Sequence, residues 1–218
     1  MDTTTSLGEI AVSHPGAARI FRQHRLDFCC GGKRSLGDAC RDRQLDADAI
    51  LRAIEAEQAV DEDARRWDTA PLPDLIDHIV GVYHARLRRA LPDLIAMARR
   101  VEARHGDKPE CPTGLASHLE RMHEAVLEHL LKEEHILFPL IASGRGAHAA
   151  APVHVMELEH ADHGTDLATT RALTDDLQPP AAACTTWRAL YLGLAQLEQE
   201  LTDHIHLENN ILFPRALA

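Results

Sequence analysis

Aromatic residues are scarce in this chain, 4% of 218 residues, and β-branched, strand-like runs are scarce as well. Strands draw on both kinds of residue, so an all-α fold is expected. Basic charge is also in short supply. Asp and Glu outnumber Lys and Arg by 34 to 23, a formal net charge of −11. A phosphate backbone would be repelled, which argues against a nucleic-acid partner. No apolar run approaches ~20 residues, and the N-terminus, MDTTTSLGEIAVSHPG, has no basic-then-apolar leader. A cytoplasmic protein with no membrane partner is therefore expected. Five cysteines, an odd number, do not make a secreted disulfide framework, and a reducing compartment fits better. Histidine is abundant instead: there are 15, and their protonation would offset the acidity at lower pH.

An eleven-residue pattern, His-x-x-x-Glu-x-x-Ile-Leu-Phe-Pro, occurs twice, as HLLKEEHILFP from His129 and as HIHLENNILFP from His204. On a helix, residues four apart share a face, so each copy offers one imidazole and one carboxylate to the same ion. His84 precedes His129 by 45 residues, and His160 precedes His204 by 44. Two helix pairs related by a pseudo-twofold would bring His84, His129, Glu133, His160, His204 and Glu208 to one place.

The chain divides into three parts. Residues 1–65 read as a small helical domain. One of its helices starts at Pro15 and runs through Ile20 and Phe21. A turn at Asp27-Phe28-Cys29-Cys30-Gly31-Gly32 follows, then a helix over 35–43, then one capped by Asp46 that buries Ile50, Leu51 and Ile54. Residues 66–73 read as a proline-ended linker. Residues 74–218 read as four helices, over 74–105 with a kink at Pro92, then 113–141, 153–174 and 181–216. Short loops between them make an up-down-up-down four-helix bundle.

Helical phase tests the convergence. Ile76, Val80, His84, Leu87 and Leu91 form one stripe, and Met122, Val126, His129, Glu133, Leu137 and Leu140 a second. Val153, Met156, His160 and Leu167 form a third, and Leu197, Leu201, His204, Glu208 and Ile211 a fourth. Two buried carboxylates need positive charge nearby, and a two-metal centre supplies it. His105, His118, His123, His135 and His206 fall off these stripes and read as solvated. Mixed imidazole and carboxylate donors suit iron, manganese or zinc, and no cysteine is in phase to join them.

The segments LGEIA…DFCCGGK, HLLKEEHILFP, MELEH around His160 and HIHLENNILFPRAL resemble the hemerythrin-like di-iron bundles. More specifically, they resemble the Repair of Iron Centers family over nearly the full chain. The resemblance implies two iron ions joined by an oxo or hydroxo group, with Glu133 and Glu208 bridging them. By that resemblance His84 and His129 serve one ion, and His160 and His204 the other. Oxygen-carrying hemerythrins have a further His where this chain has Gly164, and an Asp one residue beyond Glu208. His163 lies one position out of register. Fewer imidazoles argue for reactivity or iron release over reversible oxygen carriage.

The function implied is repair of iron–sulfur clusters after nitrosative or oxidative damage, by donating iron to the damaged proteins. Two alternatives use the same centre: an oxidoreductase acting on nitric oxide or peroxide, and a gas or iron sensor. A structural zinc bundle is a fourth reading. Glu159 and Glu124 flank the ligands, as a polar path or as partners of imidazole N–H groups, or else as a solvated face. Cys29 and Cys30 could form only a strained vicinal disulfide, which suits redox exchange or transfer; the plainer reading is two small residues at a turn. Cys40, Cys111 and Cys184 read as structural. A monomer and a homodimer are both compatible with the sequence.

Overall fold

The computed structural model describes residues 1–14, 16–58 and 66–218. Pro15, expected to open a helix, lies outside these residues, as do residues 59–65 at the end of the expected N-terminal domain. Among the described residues there are helices and no β-strand. The N-terminal part holds α1 (Leu7–Ser13), α2 (Ala17–Gln23), α3 (Leu36–Asp42) and α4 (Ala47–Gln58). α1 was not anticipated, although Ser6 and Glu9 form a reciprocal capping box at its start. Ser35 caps α3, and the Asp46 carboxylate accepts from Asp48 N and Ala49 N at the start of α4. Leu7, Ile10, Phe21, Phe28, Leu36, Ile50 and Ile54 form the core of this part.

The bundle begins two residues earlier than expected, with α5 (Leu72–His78). α5 widens into a π turn (Ile79–His84) and continues as α6 (Ala85–His105). α6 runs on through Pro92, so the irregularity in this helix falls at 79–84. The second helix is α7 (Leu115–Lys132), a π turn (Glu133–Leu137) and α8 (Phe138–Ala142). The third, α9 (Ala150–Leu173), is regular throughout. The fourth is α10 (Thr185–Leu207), a π turn (Glu208–Leu212) and α11 (Phe213–Leu217). α6 packs on α7 and α10, and α7 on α9. The extra residue in each π turn shifts the buried stripe. Ile79 is fully buried and Val80 only half, and beyond the second turn Phe138 and Ile141 are buried while Leu140 is not.

Two apolar cores fill the bundle. One, with Leu87, Leu91, Met122, Trp187 and Leu201, lies to one side of the His and Glu layer. The other, with Leu75, Ile79, Val153, Ile211 and Phe213, lies to the other side. The expected linker is packed rather than free. Trp67 stacks on His78, and the Arg215 guanidinium donates to the Trp67 and Ala70 carbonyls.

Candidate metal centre

Two of the three π turns arise at the motif itself. Phe138 N–H reaches back five residues to the Glu133 carbonyl, and Phe213 N–H to the Glu208 carbonyl. Pro139 and Pro214 follow directly. A proline ring collides with the carbonyl four residues behind it in a regular helix, and the widened turn opens that space. Glu133 and Glu208 thus stand at the point where the helix is broadest.

His84, His129, Glu133, His160, His204 and Glu208 converge, and none is more than 1% exposed. The ring nitrogens pair across the layer. His84 Nε2 lies 3.1 Å from His204 Nε2, and His129 Nε2 lies 3.0 Å from His160 Nε2. Glu133 places one oxygen 3.4 Å from His84 Nε2 and the other 3.4 Å from His129 Nε2. Glu208 does the same toward His204 Nε2 at 2.9 Å and His160 Nε2 at 3.1 Å. The donor atoms fall into two quartets, His84-Glu133-His204-Glu208 and His129-Glu133-His160-Glu208, each within 4.8 Å. Both carboxylates belong to both quartets. The imidazole pairing differs from the expected one. The first and fourth helices share one quartet and the second and third the other; α6 lies against α10 and α7 against α9, although α6 also lies against α7. The pseudo-twofold relation survives this correction.

Behind the layer, three of the four Nδ1 atoms are held. His84 Nδ1 donates to Glu134 at 2.7 Å, and Glu134 accepts from Arg88 at 2.7 Å. His129 Nδ1 donates to Glu159 at 2.8 Å, and Lys132 donates to the same carboxylate at 2.7 Å. His160 Nδ1 donates to Asn209 Oδ1 at 2.8 Å. His204 Nδ1 is buried without a partner, and Tyr83 stacks on its ring. Since Nδ1 of His129 and of His160 each face an acceptor, their neutral rings turn Nε2 lone pairs toward one another. Both Glu133 oxygens and one Glu208 oxygen are buried without a hydrogen bond. Such a donor set is frustrated on its own and satisfied by cations, so the residues fit a pair of metal ions.

The electrostatics agree. Burial alone would lower the His129 imidazole, but the Glu133 charge overrides it and pushes it up to about 9. Burial alone would raise the Glu133 carboxyl, yet the surrounding imidazoles, His129 first, hold it well below the usual range. A proton therefore takes the place that a metal ion would take.

Residues 75–216 match the hemerythrin HHE cation-binding domain, and residues 3–58 match the ScdA N-terminal domain, a domain of unknown function. The iron-sulfur cluster repair protein YtfE of Pectobacterium atrosepticum is 49% identical over 97% of this chain and 96% of its own length. The protein of the same name from Pectobacterium carotovorum is also 49% identical, and that from Yersinia pseudotuberculosis 48%, over the same shares. This chain belongs to the YtfE family of hemerythrin-like proteins. Both quartets fall within its cation-binding domain, and Cys29 and Cys30 within the ScdA-type domain.

The other singled-out residues fare differently. Glu159 sits on His129, whereas Glu124 is exposed on the outer face of α7 and is corrected to a solvated residue. Glu134 and Asn209 were missed; each immediately follows a Glu of the repeat, and that shared position was the available signal. His135 is exposed as expected, and His123 is half-buried. Three histidines read as solvated are buried. His118 lies within hydrogen-bond distance of the Asp166 carbonyl and the Thr170 hydroxyl, His105 packs on Trp187, and His206 meets Phe28 edge-on. Their covers come from other elements, which helical phase does not report. His163 is buried beside the His129 ring but belongs to neither quartet, and burial pushes it down to about 3.

The Cys29-Cys30 turn sits on the outer side of His160. The thiols are free, with Sγ atoms 3.6 Å apart. Cys30 Sγ donates to the His160 carbonyl at 3.3 Å. Asn209 Nδ2 donates to the Cys29 carbonyl and Asn210 Nδ2 to the Phe28 carbonyl, both at 3.0 Å. Gly32 permits this docking, since a Cβ there would lie 2.6 Å from the Phe28 carbonyl. An open cleft of about 170 Å³ runs along the turn, between Lys33, His154 and Glu157. The Arg22–Asp203, Arg25–Asp176 and Lys33–Glu157 ion pairs add further ties between the N-terminal part and the bundle.

Proposed function

We propose that this chain holds two iron ions, one in each quartet, and gives up iron to restore iron–sulfur clusters damaged by nitrosative or oxidative stress. The observation that carries the reading is the pair of buried carboxylates common to both quartets, each with oxygens that the protein leaves without hydrogen bonds. The names of the relatives as iron-sulfur cluster repair proteins supply the process. Iron supplies a change of oxidation state, and nitrogen and oxygen donors hold the ferrous ion less firmly than the ferric ion.

The chain's own residues do the rest. Glu134 and Glu159 fix the orientation of His84 and His129, and their cationic partners Arg88 and Lys132 keep both carboxylates charged. The two apolar cores exclude water on either side of the layer. The Cys29-Cys30 turn, as part of a separate N-terminal domain over residues 1–65, is the point at which a damaged partner meets the centre.

Iron content of purified protein, and anaerobic iron transfer to an apo iron–sulfur protein, test the reading. Two equivalents in the native chain, their loss in Glu133→Leu and Glu208→Leu, and faster release after reduction are expected. Equal release in both oxidation states would exclude donation by this route.

A further inference from the structure

Each of the four imidazoles meets a different device behind it, and the devices occupy two repeated positions. The residue after the repeat's Glu holds an imidazole of another helix: Glu134 holds His84, and Asn209 holds His160. The residue before the lone His holds the next: Glu159 holds His129, while Tyr83 only stacks on His204. Asn209 differs from the two carboxylate supports, Glu134 and Glu159, in being neutral and in being tied to the N-terminal part. Its Oδ1 accepts from His160 Nδ1, and its Nδ2 donates to the Cys29 carbonyl. The Cys30 thiol closes a ring by donating to the His160 carbonyl. The carboxamide cannot be reversed without setting its NH₂ against an N–H and its oxygen against a carbonyl.

We propose that Asn209 is a positioning residue through which the Cys29-Cys30 turn sets how firmly His160 holds its metal ion, an inference that rests on reading the quartets as metal positions. Displacing the turn, or occupying its thiols, takes the Cys29 carbonyl from Asn209. The carboxamide then swings free, and His160 loses the acceptor that orients it. His84 is insulated from this, because Glu134 is anchored by Arg88. The ion of the His129-His160 quartet is therefore released ahead of the other. Losing such an outer partner weakens metal binding roughly 10- to 100-fold.

The test uses the full chain with Cys184→Ser, which removes an exposed thiol. The protein is loaded anaerobically with ferrous iron, and release to bathophenanthroline is followed before and after alkylation with iodoacetamide. Alkylation should speed release of one of the two equivalents about 10- to 100-fold. Asn209→Leu should release that equivalent quickly without alkylation. Asn209→Asp keeps an acceptor for His160 but no donor for Cys29, so its release should stay slow and ignore alkylation.

A second readout needs no metal. In metal-free protein, alkylation should move the His160 ring nitrogen resonances of the parent and leave those of Asn209→Asp unchanged. Iodoacetamide should also react faster with the turn in both Asn209 variants. The proposal is overturned if alkylation accelerates both equivalents alike, if Asn209→Asp responds as the parent does, or if the His160 resonances ignore the thiols. Failure to retain iron would instead overturn the function proposed above, while the metal-free resonances still decide the linkage.

Discussion

Replacing Glu133 by Leu should change stability in opposite directions with and without metal. The carboxylate is wholly buried, and neither oxygen has a hydrogen bond. Each unpartnered buried polar group costs about 1–3 kcal/mol, and leucine has a similar volume. Exchanging buried ions for apolar groups is neutral or stabilising by about 1–4 kcal/mol. That figure is for a whole ion pair, and it applies because His129, pushed up to about 9 by Glu133, gives up its proton to burial once Glu133 is gone, so no buried charge is left behind. At ~2–4 °C per kcal/mol for a chain of this size, a gain of about 1–4 kcal/mol means that metal-free Glu133→Leu should melt about 2–16 °C above the parent. Iron reverses the order. A ligand at 100 times its dissociation constant stabilises the native state by about 2.7 kcal/mol, and the variant lacks a carboxylate common to both positions. Anaerobic calorimetry in EDTA and in ferrous iron measures both arms. A variant that melts below the parent in EDTA, yet gains as much from iron, would refute the reasoning.

Glu159→Ala should weaken retention of one iron roughly 10- to 100-fold, by freeing His129, whereas Glu124→Ala should leave both in place; iron content after dialysis against a chelator distinguishes them. Its hydrogen bond with Cys30, and then burial, hold the Cys29 thiol well above its ordinary value of 9.0. Cys29 should therefore alkylate more slowly than an unfolded-peptide thiol, as mass spectrometry of the modified peptide would show. Because that thiol is raised in the folded state, its stabilising contribution is complete below pH 9.0 and is lost as pH climbs past it. Gly32→Ala should cost about 1–3 kcal/mol, since its Cβ meets the Phe28 backbone, and should increase thiol reactivity in the turn; unchanged melting would contradict this.

The six converging side chains were legible because a repeat of fixed spacing set them on apolar stripes, and the stripes had to face inward. The partition of the imidazoles was not legible, because it depends on which helices are neighbours, and phase along one helix does not encode that. Two of the three π turns were written in Pro139 and Pro214, while the one at 79–84 has no such proline; a regular helical wheel drawn through the first two turns put Val80 and Leu140 where Ile79 and Ile141 belong. The missed helix α1 had its signal in Ser6 and Glu9. His206 and His118 gave none, since Phe28 and Thr170, which cover them, lie far away in sequence.

The proline that closes each copy of the motif has a consequence for any attempt to shorten it. Removing one residue, such as Glu134 or Asn209, would let the coil tighten to 3.6 residues per turn, which keeps the downstream face inward but closes the space that the π turn opens. Phe138 and Ile141, or Phe213, would stay in the interior, but the proline ring would strike the carbonyl it now clears. Each eleven-residue unit behaves as a joint locked at one angle, so it can be transplanted whole into another helix but not trimmed.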